Sequence, residues 1–123
     1  MREIKFRAWN KGWKRGVVYF TLDKLHDGFV YCGIKSDVSI NLKGTELMQY
    51  TGLHDKNGKE IYEGDIVKEN DTYTAKIEFI SGCFVYNFVD TPEDWSNEYI
   101  PVYGGSRDTE VIGNIYENPE LLK

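Results

Sequence analysis

His26 and His54 are the only histidines in this 123-residue sequence, and Cys32 and Cys83 are its only cysteines. None has a Cys or His partner at metal-ligand spacing, so no zinc site is expected. Asp55-Lys56-Asn57-Gly58 opens like a calcium loop but lacks the later oxygen ligands and the bidentate Glu such a loop needs. The sequence has no Gly-x-Ser-x-Gly elbow for a nucleophilic serine, and no Gly-rich loop opens a helix to cradle phosphate. Carboxylates are plentiful: Glu60, Glu63 and Asp65 lie close together, as do Glu93, Asp94 and Glu98. Acid–base chemistry needs two carboxyls in contrasting environments, whereas turn residues and strand edges place theirs in water. Asp65 follows Gly64, a pattern that favours an Asx-type cap on nearby backbone N–H groups. The expectation is a protein that is not an enzyme and takes no cofactor.

One group of residues has a functional reading of its own. Arg2, Lys5, Arg7, Lys11, Lys14 and Arg15 interleave with Phe6, Trp9, Trp13 and Tyr19. Phosphate contacts combined with aromatic stacking are how β-sheet modules hold single-stranded nucleic acid. The competing and favoured reading is an edge strand blunted by Lys and Arg, with its aromatics packed inward. With Glu3 as its one acid, this arm sums to +5, against −10 for the rest of a chain whose net charge is −5. The remainder would repel a long polyanion.

The elements that must position these residues are short strands. Ile4, Phe6 and Ala8 alternate with Lys5, Arg7 and Trp9, a period of two that gives one apolar face. Val17–Leu22, Phe29–Ile34 and Val38–Leu42 read as further strands, separated by turn residues such as His26-Asp27-Gly28. Asn57-Gly58 predicts a type I′ turn closing a hairpin between Tyr50–His54 and Lys59–Tyr62. Gly64-Asp65 then re-aims the chain into Ile66-Val67. Asn70-Asp71 and Ser81-Gly82 turn a meander through Tyr73–Ile80, with Ala75, Ile77 and Phe79 on one face, and Cys83–Val89. Thr91-Pro92 predicts one helical turn, Gly104-Gly105-Ser106 a loop, and Glu110–Tyr116 a final strand covered on both faces. Asn118 caps a last short helix that packs Leu121 and Leu122 onto the body. Strands at this spacing indicate a mainly β chain of antiparallel strands, not βαβ units.

Composition agrees. Hydrophobic residues make up 41% and aromatics 15%, led by nine Tyr, a load suited to pleated half-buried surfaces. One core fits this length, so residues 1–123 read as a single domain, with a soft seam near Lys43–Glu46. The N-terminus is charged at once and offers no export signal, and no apolar run reaches membrane length. No membrane is expected, and both cysteines read as reduced, buried packing residues.

The segment from Gln49 to Val67, QYTGLHDKNGKEIYEGDIV, resembles the YopX family of phage and prophage proteins from low-GC Gram-positive hosts. Arg2–Trp9 resembles the family's opening, and Glu110–Leu122 its close. The resemblance implies an SH3-like pseudo-barrel with additional N-terminal strands, and the cytoplasm of a bacterial host cell. It brings no activity and no catalytic residue. The leading expectation is therefore a non-enzymatic protein-interaction module, acting as a homo-oligomer or on a host or phage protein. The alternative is a nucleic-acid-binding accessory protein using Arg2, Lys5, Arg7, Trp9, Trp13, Lys14 and Arg15. A third reading is a hydrolase or nuclease whose clustered acids hold Mg²⁺ in one cleft.

Overall fold

The computed structural model describes residues 4–14, 16–32, 38–89, 100–102 and 109–122. Arg2, Arg15, the helical turn expected after Thr91 and the Gly104-Gly105-Ser106 loop lie outside them. The described chain is built from antiparallel strands with two 3-10 turns. It packs as two compact units, Met1–Tyr50 and Thr51–Lys123.

In the first unit, β1 (Lys5–Trp9) lies between β2 (Val18–Thr21) and the start of β6 (Glu46–His54). A separate three-stranded sheet holds β3 (Leu25–His26), β4 (Phe29–Cys32) and β5 (Val38–Asn41). The core is Ala8, Phe20 and Val30, with Phe6, Trp13, Leu25, Ile40 and Leu42 packed around it. Phe6 and Phe20, paired in register, stack with centroids 5.8 Å apart.

In the second unit, the end of β6 neighbours β7 (Glu60–Tyr62). A five-stranded sheet then runs in the order β11 (Ile100–Pro101), β10 (Cys83–Phe88), β9 (Tyr73–Ile80), β8 (Asp65–Glu69) and β12 (Thr109–Asn114). The register brings Val111, Val67, Ala75 and Phe88 into one row across four strands. With Ile61, Ile77 and Tyr86 these form the core.

The turns follow the chemistry of their residues with one exchange of type. Consecutive positive φ values, which a type I′ turn requires, occur at Asp27-Gly28, Asn70-Asp71 and Ser81-Gly82. They do not occur at Asn57-Gly58, where Gly58 alone is left-handed, at +84°. Here the Gly58 N–H donates to the Asp55 carbonyl at 3.0 Å and the Asp55 N–H to the Lys59 carbonyl at 2.8 Å. The loop is therefore one residue longer than expected, a turn through Lys56-Asn57 followed by Gly58 as a bulge. The Asp55 side chain favours this form by binding the loop's own N–H groups.

Three further expectations are corrected. Strand β1 is not an edge, because β6 reaches back to Glu46 and gives it a second neighbour. Strand β12 is not covered on both faces throughout: its register slips between Val111 and Gly113, and the extra residue, Ile112, is turned to solvent. The last 3-10 turn, Pro119–Leu122, forms where expected, but Leu121 is exposed.

Candidate functional site

The Asp55 carboxylate is buried and fully engaged. Its Oδ1 accepts the N–H groups of Asn57 and Lys59, both at 2.9 Å, and its Oδ2 accepts that of Val111 at 2.9 Å. Burial alone would raise its pKa. The three backbone donors, helped by the charge of Lys59, outweigh burial and hold the carboxyl below the usual aspartate value. Beside it, the Lys56 N–H donates to the Thr109 carbonyl at 2.9 Å, and Asn57 Nδ2 to Glu110 Oε2 at 3.2 Å. Val111 N–H and Thr109 C=O belong to β12, a strand at the end of its sheet. The corner at Asp55-Lys56 thus satisfies groups that an exposed edge would offer to another chain.

The second clasp lies at Gly64-Asp65. Asp65 is buried, and its Oδ2 accepts the Tyr62 N–H at 2.8 Å, the Asx-type role its place after glycine indicates. Gly64, at φ +88°, donates its N–H to the Ile77 carbonyl and accepts the Ile115 N–H at 2.9 Å. A third clasp closes the chain. Asn114 Oδ1 accepts the N–H groups of Tyr116 and Glu117, while Asn118 Oδ1 accepts that of Asn114 at 3.1 Å. Gly113 makes room: a Cβ there would stand 2.6 Å from Asn118 Oδ1. Thr109 is buried, its hydroxyl donating to Glu69 and lying 3.1 Å from the Tyr86 hydroxyl.

The basic arm is drawn in at its centre. Arg7 is only 3% exposed, and its Nε donates to Met48 Sδ at 3.3 Å. Lys5 Nζ stands 5.6 Å from the centre of the Tyr50 ring, a cation–π contact. Trp9 and Trp13 are half-buried, and Trp13 packs on the core. Lys11 and Lys14 are exposed on the β1–β2 connection, and Tyr19 is exposed on β2. Of the arm's described basic residues, Arg7 is therefore closed to an outside ligand, while Lys11 and Lys14 are open to one.

The periodicity missed the outer end of the β9–β10 hairpin. Strand β8 pairs with β9 only from Tyr73 to Lys76, so the outer part of β9, Glu78–Ile80, runs on past β8 paired with β10, while β11 lies beside Val85 and Tyr86 on the other side of β10. On this extension Phe79 is 50% exposed, although it shares a face with buried Ala75 and Ile77. Its register partner Phe84 lies with ring centroids 4.9 Å away. Cys83 at the tip is an exposed free thiol, correcting its reading as a buried packing residue. His26 pairs with Asp27 at 3.3 Å, both in solvent. Among the described residues, no three His, Cys, Asp or Glu converge to hold a metal ion, and no helix is long and apolar enough to cross a membrane.

The fold and these clasps define a class: small mainly β proteins whose motif residues tie strand ends together. The chain belongs to the YopX family, whose model, described as YopX protein, matches residues 5–123. Its structure is similar, at a TM-score of 0.65 and 25% sequence identity, to the crystal structure of protein EF1440 from Enterococcus faecalis, with 100% of both chains covered. No curated protein matches the chain significantly.

Proposed function

We propose that the protein is a non-enzymatic interaction module, encoded by a phage or prophage and working in the cytoplasm of its bacterial host. It would act as a homo-oligomer or by holding a host or phage protein. The same reading carries the SH3-like pseudo-barrel implied by the family resemblance. The observation that supports it best is the aromatic pair Phe79–Phe84 on the hairpin extension, with Phe79 half in water beside the exposed Cys83. Exposed aromatics are enriched among residues that anchor protein interfaces. The polar residues most able to do chemistry, Asp55 and Asp65, are meanwhile occupied by backbone N–H groups. Light scattering across a concentration series, with affinity capture from host lysate under reducing conditions, tests the reading. Association or a specific captured partner is expected; a strict monomer that captures nothing refutes it.

The second reading, a nucleic-acid-binding accessory role, is supported by Lys11, Lys14 and Tyr19, which lie exposed on β2 and the turn before it. Few cations are involved, so binding would be weak and steeply salt-dependent. Single-stranded oligonucleotides titrated at low salt test it. Binding that Lys11→Ala/Lys14→Ala removes supports this role, and no binding at low salt rejects it.

A further inference from the structure

Asn57-Gly58 is the one Asn-Gly step in the chain, and it stands exposed at a loop tip. Asparagine before glycine is open to a specific reaction, because glycine has no side chain to hinder its backbone nitrogen. The Gly58 nitrogen attacks Cγ of Asn57, and the new N–Cγ bond replaces the Cγ–Nδ2 bond. Ammonia leaves with the Gly58 amide proton. Water then opens the cyclic imide at either carbonyl, giving aspartate or isoaspartate.

We propose that Asn57 is a deamidation site that the folded hairpin holds closed, so that modification reports opening of this loop. Two hydrogen bonds act directly on the reacting groups. The attacking nitrogen is engaged, since the Gly58 N–H donates to the Asp55 carbonyl at 3.0 Å. The side-chain amide is held away, since Nδ2 donates to Glu110 Oε2 at 3.2 Å. A third bond, from the Asn57 N–H to Asp55 Oδ1 at 2.9 Å, holds the residue on its other side within the closed loop. The bonds on the Gly58 nitrogen and on the side-chain amide must yield before Cγ can meet that nitrogen, so reaction requires a local opening of the hairpin. Once formed, the product is not neutral to the fold. It places a carboxylate where the amide met Glu110, and the two negative charges repel. The isoaspartate form also lengthens the backbone inside the turn. Modification at Asn57 is therefore expected to loosen the corner that covers β12.

The test is the deamidation rate at position 57, by peptide mapping that separates aspartate from isoaspartate. The full chain is incubated at mildly alkaline pH, in buffer and in denaturing urea. Deamidation in buffer is expected to be slower than in urea by ~10-fold or more, the reaction being confined to the opened fraction. Glu110→Ala removes one acceptor outside the core and is expected to raise the rate in buffer while leaving the rate in urea unchanged. Asp55→Asn is expected to do the same more strongly. Circular dichroism confirms that each variant is folded. Equal rates for the wild-type chain in buffer and in urea overturn the proposal, as does a folded Glu110→Ala protein that reacts at the wild-type rate.

Discussion

Asp55 shows how one side chain can fix a loop and a sheet edge together. Two of its bonds set the turn at Lys56-Asn57-Gly58, and the third binds that turn to Val111 on β12. Hydrogen bonds to a charged group contribute about 1.5–3 kcal/mol each. Asp55→Asn cannot replace them, because whichever way the amide sits, its NH₂ meets a backbone N–H. A loss of about 1.5–3 kcal/mol or more is expected in denaturant unfolding. The pH dependence has a definite sign. The folded carboxyl lies below its usual value, so its contribution is fully present above about pH 4. It is lost as pH falls through the folded value. Wild-type stability should decline over that acid range by more than that of Asp55→Asn, measured by urea titration at several pH values. Parallel pH profiles would refute this role.

At the scale of elements, glycines at two positions matter for different reasons. Gly113 sits where β12 bulges, and a Cβ there would meet Asn118 Oδ1 at 2.6 Å. Gly113→Ala should cost about 1–3 kcal/mol by overpacking. Removing the obstructing side chain with Asn118→Ala should recover part of that cost, a coupling of about 0.5 kcal/mol or more in a double-mutant cycle. Additivity would show that the clash is relieved elsewhere. Gly82 has open space around it but φ +84°, so Gly82→Ala should cost about 1–2 kcal/mol through backbone strain alone. Much of this level was legible in the sequence. Alternation marked β1 and β9, and Asp-Gly, Asn-Asp and Ser-Gly marked the turns. The loop type at Asn57-Gly58 was not legible, because Asp55 recruits two of its N–H groups. The exposure of Phe79 was hidden because periodicity assigns a face, and only the register tells where β8 ends. Burial of Arg7 was hidden because it depends on β6 reaching back over β1.

At the scale of the molecule, the stretches that resemble the family mostly carry architecture. Asp55 binds Val111, Gly64 binds Ile115, and Asn114 and Asn118 tie off the end of the chain. The bond to Val111 covers part of the outer side of β12, the one to Ile115 extends its pairing toward β8, and an aromatic side chain remains half in water on the hairpin extension. Phe79→Asp changes that surface outside the core, since the side chain is half in water on the part of β9 that runs past β8. The most direct measurement is light scattering on wild-type protein and Phe79→Asp across the same concentration range, each also used as bait in host lysate. The wild-type chain is expected to self-associate or capture a specific partner, and Phe79→Asp to lose that association while remaining folded by circular dichroism. Association unchanged by the substitution, or a wild-type chain that is monomeric and captures nothing, would contradict it.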